Sequence, residues 1–367
     1  MPKAAGAQGS EAGMTHGSSS NVVDTLLELL AIRSDHGPGR SEIASYAYDW
    51  LEEIGMSVCT YGEPSMPALC ATNGRGGLIL SGHLDTVPEG TKWTRDAGEV
   101  VAGKIYGRGA ADMKGACASM LHAARHLMKA DLSFSLFLTT DEEDKMTGAL
   151  ALSELDILKE AKGVLIGEPT DLLPAFKEKG ISRFRLTTHG TAVHASLPWL
   201  GENAIQKMSR LLERLSWLGQ RPEGPTEDMT LCISMIKGGT KSNIVPDRCE
   251  AEIDVRFPTP LTYRKVRTII MDELMGESYD IQMLYELEAY EADPASQIAK
   301  VAQELSNSEL IVVPYATEAP VYATVNNDVI VCGPGAMNMA HADDEWVERF
   351  QLERAIDLYV QLAERLA

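Results

Sequence analysis

The stretch LILSGHLDTVP, residues 78–88, passes from three apolar residues into a sharply polar turn. A short apolar run bounded by turn residues reads as a buried strand. Its end presents His83 and Asp85 at i and i+2, which puts an imidazole and a carboxylate on one face of the extended chain. Alone, H-x-D is a polar strand end whose histidine bonds locally. Its meaning depends on what the other strand ends supply.

Upstream, VVDTLLELLAI (22–32) and SEIASYAYDWLEEIG (41–55) have helical period, with Ser41 as a cap and Gly55 as a stop. Downstream, Met113–Lys129 is an Ala-rich helix, Leu132–Thr140 a strand, Thr147–Leu155 helical and Gly163–Gly167 a strand. This alternation predicts an α/β domain with a mostly parallel central sheet flanked by helices.

The rhythm changes near residue 177. ISRFRLTTHG (181–190) alternates like a half-exposed strand, and ENAIQKMSRLLERLSWL (202–218) is an amphipathic helix. Two strands (230–239 and 248–258), a helix (262–275) and a last strand (279–288) follow. The order βαββαβ is the ferredoxin-like split motif. The expected organisation is therefore a catalytic domain in two parts, 21–176 and 286–367, interrupted by an inserted domain at 177–285. Residues 1–20, small, polar and Gly/Ser-rich, are expected to be a disordered tail without a signal-peptide core.

With 367 residues, the chain is long for one core. A net charge of −20 argues against nucleic acid, whose phosphates call for clustered Lys and Arg. No run reaches the ~18 apolar residues of a membrane span. Six scattered cysteines, without a C-x-x-C pair, suggest a reduced, cytoplasmic setting.

Two tempting motifs fail. GRGAADMKG (107–115) has Asp112 where a dinucleotide fingerprint needs its third Gly, and GGTKS (238–242) lacks a Gly directly before Lys. His122 and His126 have zincin spacing, but Ala123 stands where the Glu belongs. Both read as packing or surface residues.

What remains is convergence. His83, the Glu142/Glu143 pair, Glu168 and His341 each follow the end of an expected strand, and Asp112 opens a helix. Sites of α/β sheets lie outside those strand ends. Two imidazoles and several carboxylates there form a mixed N/O donor set suited to two zinc ions, or to cobalt.

The motifs SGHLDTVP, YGRGAADMKG, TTDEED, IGEPT, THGTAVHASLPWLGENAI, KSNIVPD, DVRFP, YATEAP and GPGAMNMAHADDEW then appear in order from about residue 22 to the end. Together they resemble the di-zinc hydrolases that include acetylornithine deacetylase, succinyl-diaminopimelate desuccinylase, aminoacylase and carboxypeptidase G. YATEAP (315–320) and the GPG…AH…DE segment are most similar to acetylornithine deacetylase.

The resemblance implies that Asp112 bridges two metals, with His83 and Glu168 completing one site and Glu143 and His341 the other. It makes Glu142 the general base and Asp85 the residue orienting His83. His194 would reach into a partner's active site, the inserted domain serving as a homodimer interface. Asn243 and Arg256 would hold a substrate carboxylate, and the Asp112–Met113 peptide would be cis. The expected substrate is an N-acyl amino acid, foremost N-acetylornithine, with Glu318 as a selector for the ornithine ammonium or a structural carboxylate. A desuccinylase or dipeptidase would share the metals and differ in the pocket. Asp144, where many relatives have Gly, and Ala342-Asp343, in place of Gln-Pro, depart from the pattern at the pocket rim.

Overall fold

The computed structural model describes residues 21–218 and 228–367. The disordered tail expected for residues 1–20 lies outside the described residues.

Four neighbouring strands form the parallel heart of a nine-stranded sheet, in the order Phe134–Thr139, Leu78–His83, Gly163–Pro169 and Val329–Gly333. All four are fully buried, as expected where helices cover both faces. The flanks are antiparallel apart from Ile311–Val313, which runs parallel to Ala175–Glu178. A hairpin of Ser57–Glu63 and Met66–Asn73 extends one side, and Ala175–Glu178 with Tyr290–Glu291 the other.

One face packs against the helices Val22–Ala31, Gly37–Glu53, Gly115–Lys129 and Arg349–Leu366 around Trp50, Leu121 and Tyr359. The other is covered by shorter helices around Phe137 and Tyr322. Asn21 caps the first helix, its side chain accepting the N–H groups of Val23 and Asp24 while Asp24 bonds back. The second helix begins four residues before the expected cap. Gly37 opens it with Pro38 in the first turn, where the missing N–H costs nothing, and the Ser41 hydroxyl instead reaches the Pro64 carbonyl.

The inserted unit is a four-stranded antiparallel sheet, ordered Thr230–Gly238, Arg248–Phe257, Gly180–His189 and Asp280–Leu287. Helices Ala204–Ser216 and Tyr263–Glu273 pack on it around Phe184, Leu211 and Ile253. This is the ferredoxin-like arrangement. Its first strand, expected at 181–190, runs Gly180–His189, and Ala175–Glu178, at the edge of the expected insertion, pairs with the large sheet. Strand alternation sends Phe184 and Leu186 under the helices and turns Arg183 and Arg185 to the opposite face.

Candidate metal centre

The parallel strands deliver their C-terminal ends side by side, so short-range polar turns become long-range neighbours. His83 closes its strand, Asp141–Glu143 follow Phe134–Thr139, Glu168 ends Gly163–Pro169, and His341 lies beyond Val329–Gly333. His341 holds a left-handed backbone (φ 62°), a conformation histidine tolerates better than most side chains.

Asp112 sits between the two imidazoles. Its Oδ1 is 3.1 Å from His83 Nε2, and its Oδ2 is 3.3 Å from His341 Nε2. The same His83 nitrogen lies 3.4 Å from Glu168, and the same His341 nitrogen 2.7 Å from Glu143. A single N–H cannot point at two carboxylates, whereas a cation can serve both. The triads His83–Asp112–Glu168 and Asp112–Glu143–His341 each bring their ligand atoms within 4.8 Å of one another, as do His83, Glu142 and Glu143. A paired N/O set of this kind fits two divalent ions.

The electrostatics agree. Burial pushes the Glu168 carboxyl up to about 7, helped by Asp112. Burial likewise raises Glu142, against the pull of His83 and with the push of Glu143. Burial also opposes the charge on Asp112, yet the imidazoles of His341 and His83 hold it below the ordinary carboxylate range. Hydrogen bonds to Asp112 and Glu143 raise His341 to about 10. Negative charge is concentrated here beyond what the two histidines balance, the condition a bound cation relieves.

The peptide between Asp112 and Met113 is cis. The preceding Gly109 (φ 88°) has no room for a side chain, since a Cβ would press on Thr86 and Lys114. Lys114 is buried, its ammonium donating to the carbonyls of Leu29 and Ile32 and tying this turn to the first helix.

Asp85 stands beside His83 and the acidic turn at once. His83 Nδ1 lies 3.0 Å from the Asp85 backbone carbonyl and 3.5 Å from its carboxylate. The Asp85 carboxylate instead accepts the backbone N–H groups of Glu142 and Glu143, at 3.2 and 3.1 Å. Asp85 therefore positions the acidic turn, and it meets His83 through both its main-chain carbonyl and its carboxylate.

Glu318 is not at the cleft. It is 1 % exposed, and its carboxylate accepts hydroxyls from Thr139 (2.6 Å), Tyr322 (3.0 Å) and Ser81 (3.2 Å). A carboxylate so enclosed and satisfied has no face for a substrate ammonium. Of the expected carboxylate-binding pair, Arg256 lines the cleft and Asn243 does not. Asn243 lies in an exposed loop beside His194, its carbonyl accepting the N–H of Ala195. His194 Nδ1 accepts the N–H of Ser196, which leaves Nε2 to carry the proton of the neutral ring.

The sequence reading passed over Glu345. Its buried carboxylate accepts the N–H groups of Gly109 (3.0 Å), Ala111 (2.9 Å) and Asp112 (3.0 Å) and pairs with Arg108 at 2.7 Å. Its sequence signal was its place at the end of the GPG…AH…DE segment, ahead of the strand Trp346–Glu348, with no role attached. The cleft above the metal residues has a volume of about 680 Å³, and Arg183, Arg185, Tyr285 and Tyr315 also line it.

The chain resembles several solved structures. A tripeptidase from Staphylococcus aureus is 20% identical, with a TM-score of 0.80 over 94% of this chain and 97% of that one. A metallo-carboxypeptidase of the M20 family from Sulfolobus solfataricus is 19% identical, with a TM-score of 0.77 over 95% and 99%. A dinuclear metal-binding peptidase of the same family from Bacillus subtilis is 14% identical, with a TM-score of 0.70 over 93% and 96%. These likenesses establish the fold. The sequence profile of Peptidase family M20/M25/M40 matches residues 79–365. The chain is a metallohydrolase of that family.

Proposed function

We propose that this protein hydrolyses the amide bond of an N-acyl amino acid with two divalent metal ions, zinc by donor chemistry and cobalt as a substitute. The observation that carries the reading is Asp112 shared between His83 and His341, each backed by its own glutamate, on the floor of a cleft that Arg256 also lines. His83, Asp112 and Glu168 would hold one ion, and Asp112, Glu143 and His341 the other. When bound, the ions supply an acidified water and positive charge for the amide carbonyl.

The chain's own groups do the rest. Glu142 adjoins both ligand sets, and its carboxylate accepts no hydrogen bond from the described residues. It takes the proton of the attacking water and delivers it to the departing amine nitrogen. Arg256 holds the substrate carboxylate. His194 is exposed and its Nδ1 accepts the Ser196 N–H, which leaves Nε2–H to donate to the oxyanion in a second subunit. That role requires a homodimer. Among the described residues, the outer strand Thr230–Gly238 pairs on one side only and exposes Met235 and Ile236, which supports pairing through this edge. Asn243, beside His194, would contact substrate from the same partner loop.

N-acetylornithine is the substrate suggested by the YATEAP resemblance. With Glu318 enclosed, the acyl amino acid class stands without that selector. Metal analysis combined with a panel of N-acetylornithine, succinyl-diaminopimelate, N-acetylmethionine and a dipeptide tests the reading. Hydrolysis of an acyl amino acid that disappears on chelation and returns with Zn²⁺ or Co²⁺ is expected. Cleavage of the dipeptide alone would overturn it in favour of a peptidase.

A further inference from the structure

On the inserted sheet, the face turned away from its helices looks into the cleft. Alternation on strand Gly180–His189 places Arg183 and Arg185 there, and on Arg248–Phe257 it places Glu252, Asp254 and Arg256. Arg183 opposes Asp254 in the ladder, and Arg185 opposes Glu252. The Arg185–Glu252 pair is balanced, with a contact of 2.6 Å. Asp254 is not.

Two guanidiniums share Asp254. Arg183 donates to its Oδ2 through Nε and Nη2, at 3.1 and 2.9 Å. Arg256 donates to its Oδ1 at 2.6 Å and to its Oδ2 at 3.3 Å. One carboxylate thus holds two cations in place, leaving an excess positive charge on this face. Each guanidinium keeps an Nη1 group free of partners among the described residues. Lys145 also lines the cleft, where the adjacent Asp144 offsets its charge. In a chain of net charge −20, this face, with Arg183, Arg185 and Arg256 against Glu252 and Asp254, is a local reversal of sign.

We propose that Arg183, held beside Arg256 by Asp254, forms a second anion-binding point in the cleft, so that the preferred substrates are acyl amino acids carrying a carboxylate beyond the α-carboxylate. The proposal rests on the acyl amino acid reading above. One carboxylate meets Arg256, and the second, on the side chain or at the end of a dicarboxylic acyl group, meets Arg183. Guanidiniums fixed by a shared acid are pre-organised, so little ordering cost remains when a dianion binds. An ornithine ammonium would meet like charge at the same place.

The test uses the metal-loaded full chain with N-acetylglutamate, N-acetylmethionine and N-acetylornithine, the first two being similar in length. Wild type is expected to favour N-acetylglutamate over N-acetylmethionine at least about 10-fold in kcat/KM. Arg183→Gln should raise the KM for N-acetylglutamate about 10- to 100-fold and bring that ratio close to one, with Arg183→Lys recovering part of it. Equal losses on both substrates, or a wild-type preference for N-acetylornithine, would overturn the proposal. If no acyl amino acid is hydrolysed, the functional reading fails separately. Calorimetric binding of glutarate then decides the anion site: binding weakened at least about 10-fold in Arg183→Gln upholds it, and equal or absent binding rejects it. Near-UV circular dichroism of each variant verifies the fold.

Discussion

Glu345 Oε1 accepts the backbone N–H of Asp112 at 3.0 Å, so the residue between the two imidazoles is aimed by a carboxylate from a distant part of the chain. The same side chain gathers Gly109, Ala111 and Arg108, forming a small anion nest around the turn that presents Asp112. Groups that fix the backbone of a ligand govern metal affinity nearly as strongly as the ligand itself.

Glu345→Ala should therefore weaken metal binding about 10- to 100-fold, and Glu345→Gln should fall between it and wild type, because an amide oxygen still accepts N–H groups. Metal content after dialysis against graded chelator measures the effect directly. Wild-type metal retention in Glu345→Ala would show that the turn holds its shape without this carboxylate.

Glu142 adjoins the ligand sets without belonging to either triad around Asp112. Glu142→Gln is expected to lower kcat about 10²- to 10⁴-fold while both ions remain bound. Single-turnover rates together with elemental analysis separate the two quantities. Substantial residual turnover would remove Glu142 as the base.

The edge of Thr230–Gly238 that is unpaired among the described residues carries Met235 and Ile236, which are 63% and 59% exposed. Replacing both with charged residues (Met235→Glu with Ile236→Lys) should give a monomer in sedimentation analysis. Activity should fall at least about 10-fold if His194 acts in the partner's site as proposed. A fully active monomer would assign His194 a local role.

His122 makes a prediction about acid stability. It is 3% exposed, its ring lies tilted at 49° against Trp50, and its Nε2 lies 2.9 Å from the Thr25 hydroxyl. Burial, reinforced by Arg125, lowers its pKa from 6.5 to about 4. Above pH 6.5 both folded and unfolded chains hold it neutral, and its contribution is complete. Between pH 6.5 and 4 the unfolded chain takes up a proton that the folded one refuses, so stability falls, by on the order of 3 kcal/mol across the window. Urea unfolding of wild type and His122→Gln at intervals from pH 7.5 to 4 should show the steeper loss in wild type. Parallel curves would mean that His122 is free to protonate in the fold.

The sequence by itself determined the layered α/β core, the ferredoxin-like insertion and the residues around Asp112. Those features rest on local periodicity and on the rule that α/β sites gather at strand ends, both visible within a few residues of each motif. For Glu318 the motif left a selector and a structural carboxylate open, and packing encloses it among Ser81, Thr139 and Tyr322 as a structural one. Tertiary structure likewise gave Asp85 to the amides of Glu142 and Glu143, Glu345 to the Asp112 turn, and Arg183 to Asp254. Each of these side chains has a partner far away in the chain, and its bonding is set by which surfaces fold together. Periodicity specifies the face on which a residue stands, and long-range packing specifies what that face meets.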